Sequence, residues 1–313
     1  MTEILTVTLN PALDLATSAP FVRPGPKLRC APETAEPGGG GVNVARAITQ
    51  LGGQARALVA LGGPNGEALR ALLQAQGLDL LEVPAPGQTR HSFSVTDEGT
   101  GEQYRFVLTG PTWGDADLDA VLDRIDDSAA GDAFVVLSGS MPQGAQPGWI
   151  TRACNRLGQR RVVVDTSGPH LAAQAVGPQP APYVLRLDSH EAMELAGDPL
   201  ATREDSARFA ETLRQRGAAR IVIIARGKDG SVMADGDGLW RVTAENETVV
   251  SAIGAGDSFV GAFVMTLAEG LGAPEALRRG AAAASAAVQS AGTQLCLPDD
   301  YARMLDLTEL DRL

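Results

Sequence analysis

The feature that most constrains this chain is an alternation. Short β-branched runs recur between segments of helical periodicity. The runs are Ile4–Thr8, Ala57–Leu61, Ala133–Leu137, Arg161–Asp165, Tyr183–Leu185 and Arg220–Ile224. Several are apolar at consecutive positions: Phe134-Val-Val-Leu137, Val162-Val-Val164 and Ile221-Val-Ile-Ile224. A strand reads that way when both of its faces are covered. The covers are the segments Val42–Leu51, Gly66–Gln76, Ala116–Ile125, Gly148–Leu157, His190–Ala196 and Ser206–Arg216. The pattern predicts an α/β fold: a doubly wound, mostly parallel sheet flanked by helices. Ser258–Gly270, Pro274–Ser290 and a short segment at Pro298–Leu305 predict three closing helices. Alanines 281–284 in the second of these suit close packing.

Two stretches break the alternation. Residues 15–35 are Pro-rich and lack helical periodicity. Residues 91–108 read as a hairpin: His91–Thr96 alternates, Asp97-Glu-Gly-Thr-Gly101 is turn chemistry, and Gln103–Leu108 runs on as a second strand. Together they are expected to form a small β-lid beside the main sheet. No fixed-period repeat or long linker divides the chain, so residues 1–313 are expected to be one domain.

The charge balance narrows the partners. Lys and Arg total 26 against 38 Asp and Glu, a net charge of −12. Nucleic acid demands a basic face, so it is not an expected partner. No run approaches the ~18 apolar residues of a membrane span. Cys30, Cys154 and Cys296 are far apart, which argues against a zinc site or a disulfide framework. The first residues carry no basic and apolar leader, so a cytoplasmic protein is expected.

Four constellations carry chemistry. In Glu36-Pro-Gly-Gly-Gly-Gly41-Val-Asn43-Val-Ala-Arg46, four glycines open a helix. Glycine lets backbone approach a ligand, and a helix start offers unpaired N–H groups. The stretch is neither a Walker A loop nor G-x-G-x-x-G; a flexible loop leading into a helix is the plainer reading. In Ile253-Gly254-Ala255-Gly256-Asp257, two glycines precede an acid at the start of an apolar helix. Backbone N–H groups there suit an anion, and Asp257 suits a base taking a hydroxyl proton. The plainer alternative is an aspartate helix cap. Polar residues gather where strands end: Asp14, Ser138-Gly-Ser140, and Asp165-Thr-Ser-Gly168. Doubly wound sheets bind ligands there, although Asp165 and Ser167 read more simply as turn residues. Finally, Lys27, Arg29, Arg90 and Arg105 lie in or beside the lid segments. They suit capture of a phosphate, or only the protection of a strand edge. No G-x-S-x-G elbow accompanies His91, His170 and His190, which disfavours a hydrolase.

Pro37-Gly-Gly-Gly-Gly-Val-Asn43 together with Gly254-Ala-Gly-Asp257 resembles the two signatures of the ribokinase-type (PfkB) sugar kinases. The similarity runs over nearly the whole chain. Thr8-Leu-Asn-Pro-Ala-Leu-Asp14, Ser138-Gly-Ser-Met-Pro142 and Gly292-Thr-Gln-Leu-Cys296 resemble the phosphosugar branch of that family. Lys27-Leu-Arg-Cys30 and Gly101-Glu-Gln-Tyr-Arg-Phe106 most resemble its minor-isozyme bacterial 6-phosphofructokinase type.

The resemblance implies a ribokinase-like fold, a lid that also clasps a homodimer, and ATP-dependent phosphorylation of a phosphosugar. It implies that Asp14, Gly39, Gly40 and Asn43 bind sugar hydroxyls. Lys27, Arg90, Ser140 and Arg105 would hold the sugar's phosphate. Asp257 would be the base, with Gly254, Ala255 and Gly256 as the anion hole. Ser251 and Ile253 would offer carbonyls to a monovalent cation such as K⁺. On the nucleotide side the family's usual Lys-Pro-Asn-x-x-Glu reads Arg186-Leu-Asp188-Ser-His-Glu191. Asp188 and Glu191, three apart on a helix face, would hold Mg²⁺ through water. Arg186, Asp188, Ala225, Gly227 and Gly230 would line the ATP site, and Ala225 stands where a hydroxyl is usual. The expected reaction is fructose 6-phosphate to fructose 1,6-bisphosphate. Fructose 1-phosphate or tagatose 6-phosphate is the close alternative, and a non-catalytic phosphosugar sensor is the alternative of another class.

Overall fold

The computed structural model describes residues 1–177, 179–244, 249–290 and 294–313. Ten strands form the main sheet: β1 (Ile4–Thr8), β4 (Arg56–Leu61), β5 (Asp79–Pro84), β8 (Phe134–Ser138), β9 (Arg161–Asp165), β10 (Val184–Asp188), β11 (Ile221–Ala225), β12 (Ser231–Ala234), β13 (Leu239–Ala244) and β14 (Thr308–Arg312). Their order across the sheet is β14-β13-β12-β11-β10-β9-β8-β1-β4-β5. From β5 to β11 the neighbours run parallel; β12, β13 and β14 are antiparallel. After β1 the chain builds outward to β4 and β5, then returns to place β8 on the other side of β1. That reversal opens a crevice beyond the carboxyl ends of β1 and β8.

The consecutive apolar residues of the central strands do what the sequence demands of them. Val135, Leu137, Val162 and Val164 point to one face, packing with α3 (Asp115–Ser128), α4 (Trp149–Leu157), α5 (Gly168–Ala175), α6 (Ser189–Ala196) and α7 (Arg203–Gln215). Phe134, Val136, Val163 and Ile223 point to the other, against α1 (Gly40–Gln50), α8 (Ala255–Ala268) and α9 (Ala273–Ala287). Leu69 and Leu73 of α2 (Gly63–Ala75) pack with Ala57 and Val59 of β4 on that same side. Helix α10 (Pro298–Asp306) adds Met304 to the alanine layer of α9. A side chain at Gly261 of α8 would meet Val44 O of α1 at 3.2 Å, so its absence draws the two glycine-led helices together. Among the described residues no helix is long and apolar enough to cross a membrane.

A second sheet of four strands, in the order β3-β2-β6-β7, lies apart from the main one. The hairpin predicted at 91–108 is its outer half: β6 (Arg90–Asp97) and β7 (Gln103–Val107), antiparallel. The Pro-rich stretch supplies the other half, where the sequence signalled no strands. There β2 (Ala12–Ala19) and β3 (Thr34–Gly38) flank an exposed connection, with β2 pairing parallel to β6. The sequence also left β5, β12, β13, β14 and α5 unassigned. Helix α1 begins at Gly40 rather than Val42, inside the glycine run.

Candidate active site

The glycine run belongs to the crevice. Strand β3 ends at Gly38 and α1 begins at Gly40, so Gly39 alone makes the turn. Its φ of 121° is open to glycine and strained for other residues. A Cβ at Gly40 would lie 2.4 Å from Ser138 Oγ and 2.6 Å from Gly139 N. The run is therefore wedged against the ends of β1 and β8, and a flexible loop is ruled out. Thr8 Oγ1, Asn10 Oδ1 and Ser138 Oγ are buried there without a hydrogen-bond partner among the described residues.

Asp257 meets this turn from α8. Gly254 is the N-cap in the left-handed region, with φ 75°. Asp257 lies inside the first turn and does not cap it; its Oδ2 accepts from Asn43 Nδ2 at 2.9 Å. Asn43 Oδ1 in turn accepts from Arg46 Nη1 at 2.9 Å. Burial pushes the Asp257 carboxyl up to about 7, and the nearby Asp165 carboxylate adds to it. The Asn43 hydrogen bond and the Arg186 and Arg46 guanidinium groups pull the other way. The first intrahelical bond runs from Ser258 N to Gly254 O at 2.8 Å. The N–H groups of Ala255, Gly256 and Asp257 thus begin a helix and have no carbonyl of their own turn to meet.

Arg186 reaches the same turn from β10. It stands directly opposite Asp165 of β9 in the parallel register, and its Nη1 donates to Asp165 Oδ1 at 3.0 Å. Both side chains are mostly buried, at 14% and 13% exposure. A Cβ on Gly256 would lie 3.0 Å from the guanidinium, so glycine there lets Arg186 pass under α8. The reading of Asp165 as turn chemistry is therefore corrected: it is the partner that holds this cation. Asp188 is corrected too, because it precedes α6 as its N-cap instead of sharing a helix face. Glu191 N donates to Asp188 Oδ1 and Asp188 N donates to Glu191 Oε2, both at 2.8 Å. The pair closes a reciprocal cap. Burial raises the Glu191 carboxyl.

Ala225 ends β11 opposite Asp188, and Gly227 and Gly230 bracket the short 3-10 turn after it. Arg226 turns away from that crevice and donates to Leu200 O at 2.9 Å, Ala201 O at 3.1 Å and Ser206 Oγ. Ser251 and Ile253 lie on the segment leading into α8, where Ile253 N donates to Ser251 Oγ at 3.2 Å.

The small sheet supplies the opposite wall. Asp14 of β2 lies between Glu36 of β3 and Ser92 of β6 in register. Burial pushes its carboxyl up to about 6, against the pull of Arg90, a Ser92 hydrogen bond and Arg105. One cleft is lined by Asp14, Glu36, Ser92, Arg105 and Ile253, so the small sheet and the approach to α8 face each other. Arg90 donates from Nε and Nη2 to Asn10 O at 3.2 Å and from Nη1 to Leu108 O at 3.3 Å. Ser140 Oγ accepts from Asn10 Nδ2 at 3.3 Å. Lys27 lies apart from these, on the exposed connection between β2 and β3. Of the Gly292–Cys296 motif, Gly292 and Thr293 lie outside the described residues, and Cys296 is buried.

The structure thus joins Asp257, Asn43 and the glycine turn, and brings Arg186 beside them with Asp165. Sequence reasoning gave no role to Arg46 or to the Asp165–Arg186 pair. The i, i+3 spacing of Asn43 and Arg46 was the available signal for the first. For the second it was two opposite charges on consecutive strands, Asp165 ending β9 and Arg186 within β10.

Residues 8–300 match the family described as pfkB family carbohydrate kinase. The ATP-dependent 6-phosphofructokinase isozyme 2 of Mycobacterium tuberculosis H37Rv is 37% identical over 307 residues, 97% of this chain and 89% of its own. That of Escherichia coli K12 is 37% identical over 303 residues, 96% of this chain and 97% of its own. The solved phosphofructokinase-2 of E. coli in complex with potassium superposes with a TM-score of 0.91 at 36% identity, covering 98% of this chain and 99% of that one. The same E. coli protein has been solved with fructose-6-phosphate and as a tetrameric inhibited form, with TM-scores of 0.89 and 0.90 at 35% identity and the same coverage. The glycine turn, the Asp257 helix start and these likenesses agree: the chain belongs to the pfkB family of carbohydrate kinases.

Proposed function

We propose that this chain transfers the γ-phosphoryl group of ATP to fructose 6-phosphate, giving fructose 1,6-bisphosphate. The observation that carries the reading is the meeting of Asp257 with Asn43 in front of an open helix start. Asn43 occupies Oδ2, which leaves Oδ1 for the acceptor hydroxyl. That oxygen attacks the γ-phosphorus as its proton passes to Asp257. The bond from the γ-phosphorus to the bridging oxygen breaks, and ADP departs. A carboxyl held at about 7 is matched to this task near neutral pH. The N–H groups at 255–257 and the anchored Arg186 face the charge that develops on the phosphoryl oxygens.

In this scheme Asp14, Gly39, Gly40 and Asn43 bind sugar hydroxyls, and Arg90, Arg105, Ser140 and Lys27 hold the sugar's phosphate. The small sheet (about 15–35 and 91–108) acts as a lid that excludes water and suppresses ATP hydrolysis. Phe93, Tyr104, Phe106 and Val107 stand exposed on its outer strands, and we assign them to a clasp between two copies of the chain. Among the described residues no three His, Cys, Asp or Glu side chains group as metal ligands. Asp188 and Glu191 each use one oxygen in the reciprocal cap, which fits a hydrated Mg²⁺ held through its water shell. Bound there, Mg²⁺ would supply charge neutralisation for the nucleotide phosphates. The carbonyls of Ser251 and Ile253 are the proposed monovalent-cation ligands, with K⁺ as the ion. The setting is the cytoplasm.

The test is ADP release across fructose 6-phosphate, fructose 1-phosphate and tagatose 6-phosphate, with ATP and with GTP. Fructose 6-phosphate is expected to give the highest kcat/KM. A higher value on either other sugar reassigns the substrate. Sugar binding without ADP release makes the chain a phosphosugar sensor, a reading favoured by Arg186-Leu187-Asp188 standing where the family usually has Lys-Pro-Asn.

A further inference from the structure

One buried cation beside the site takes no part in this scheme. Arg46 lies on α1, a turn after Asn43, and is only 7% exposed. A guanidinium is costly to bury unless its N–H fork is occupied. Here it is occupied from three elements. Nη1 donates to Asn43 Oδ1 at 2.9 Å and to Pro37 O of β3 at 3.3 Å. Nε donates to Gln76 Oε1, just past the end of α2, at 2.8 Å.

The consequence lies in the chemistry of an amide, which accepts at one end and donates at the other. Arg46 has donors only, so it fixes Oδ1 of Asn43 on its own side. Nδ2 must then point the opposite way, and it points at Asp257 Oδ2, 2.9 Å off. The flipped amide would set NH₂ against guanidinium N–H and a carbonyl oxygen against a carboxylate. Both contacts are repulsive.

We propose that Arg46 is a positioning residue for the phosphoryl transfer: it locks the Asn43 amide in the orientation that donates to Asp257, while Gln76 and the Pro37 carbonyl hold Arg46 in place. The inference rests on Asp257 being the base. The lock keeps Oδ2 engaged and Oδ1 presented to the acceptor. It also favours the ionised carboxylate. The other charged groups acting on Asp257 are Asp165, at the end of β9, and Arg186, in the middle of β10. Those acting on Arg46 are Glu36 and Asp14 of the small sheet, together with Asp257. All remain in an Arg46 variant, so a change in behaviour reports on Arg46.

The experiment measures kcat, KM and their pH profiles with fructose 6-phosphate and ATP for Arg46→Met, Arg46→Lys, Asn43→Ala and Asn43→Ala/Arg46→Met. Arg46→Met is expected to lower kcat about tenfold and move the acidic limb of kcat/KM up by about one pH unit, the scale of one charge-assisted hydrogen bond. The KM for the sugar should change less than kcat, because the phosphate contacts proposed for Arg90, Arg105 and Ser140 are untouched. Arg46→Lys should restore most of both effects, since an ammonium also donates to Oδ1. In the Asn43→Ala background Arg46→Met should add little, because its effect runs through that amide. If the limb stays put, or the two substitutions prove additive, the proposal is overturned. Should Arg46→Met fail to fold, Gln76→Leu at the exposed outer link carries the test. It is expected to move the limb the same way by a smaller step, and an unmoved limb overturns the proposal. Asp257→Asn separates the two readings. If that variant retains turnover, the base assignment fails first; if it is dead while Arg46 variants behave as wild type, only the proposal fails.

Discussion

On the wall assigned to the sugar, Thr8 Oγ1, Asn10 Oδ1 and Ser138 Oγ are buried without a partner among the described residues. On the wall assigned to the nucleotide, Arg186 holds Asp165, Asp188 and Glu191 cap one another, and Arg226 is tied to backbone carbonyls; there only the Nε atoms of Arg186 and Arg226 are buried without a partner among the described residues. The contrast has a physical meaning. Buried polar groups left open favour the ligand that completes them and reject an analogue that cannot. Groups that complete each other give a rigid, preorganised surface but read less of what binds there. Selectivity should therefore be sharper for the sugar than for the nucleoside triphosphate.

The largest effect that would sharpen this comparison belongs to neither wall alone. Asp257→Asn should lower kcat by about 10³-fold, within the range of general-base catalysis. Affinity for fructose 6-phosphate, measured by calorimetry, should change by less than about threefold, since Asn43 retains other contacts. Next comes the closed wall. Arg186→Met leaves the Asp165 carboxylate mostly buried and unpaired, which costs about 3 kcal/mol. Chemical denaturation should show that loss, and a variant as stable as wild type would mean the pair is not what holds this wall. Arg90→Ala tests the open wall. Losing a hydrogen bond to a charged phosphate should raise the sugar's KM by about 30-fold, with the KM for ATP unchanged.

A further effect concerns pH. Asp257 and Asp14 carry carboxyl groups raised to about 7 and about 6. Their folded values exceed their unfolded ones, so they favour the folded state when protonated. That contribution is full below about pH 4 and is lost as pH rises through 6 to 7. Asp257→Asn, which mimics the protonated acid, should melt at a higher temperature than wild type at pH 8 and at the same temperature at pH 4. Equal melting at both pH values would remove burial as the source of the raised acid.

The parts legible in the sequence were those with a strong local period. Phe134–Leu137 and Ile221–Ile224 announce strands because they are buried on both faces. Strands β2 and β3 are hidden because Ala12–Ala19 and Thr34–Gly38 belong to a thin sheet, with small, polar and proline residues in place of an apolar run. Strand β14, Thr-Glu-Leu-Asp-Arg, is an edge strand whose charges mask its alternation. In the site, Asp257 and the glycine turn were legible because glycine at fixed spacing before a polar residue has few other uses. The Asp165–Arg186 pair was not. Its partners are distant in sequence, and only the register of β9 against β10 sets them face to face.

Strand β3, which lines the cleft with Asp14, and the helix that carries Asn43 are separated by Gly39 alone. A Cβ placed on it would lie 2.7 Å from Thr8 Cγ2 and 3.2 Å from Pro11 Cα, so only glycine fits at this joint. With one residue between them, a tilt of the small sheet would pass directly to the start of α1. Under the proposed scheme, sugar binding at the sheet and the placing of the amide that meets Asp257 would then be coupled across a single residue.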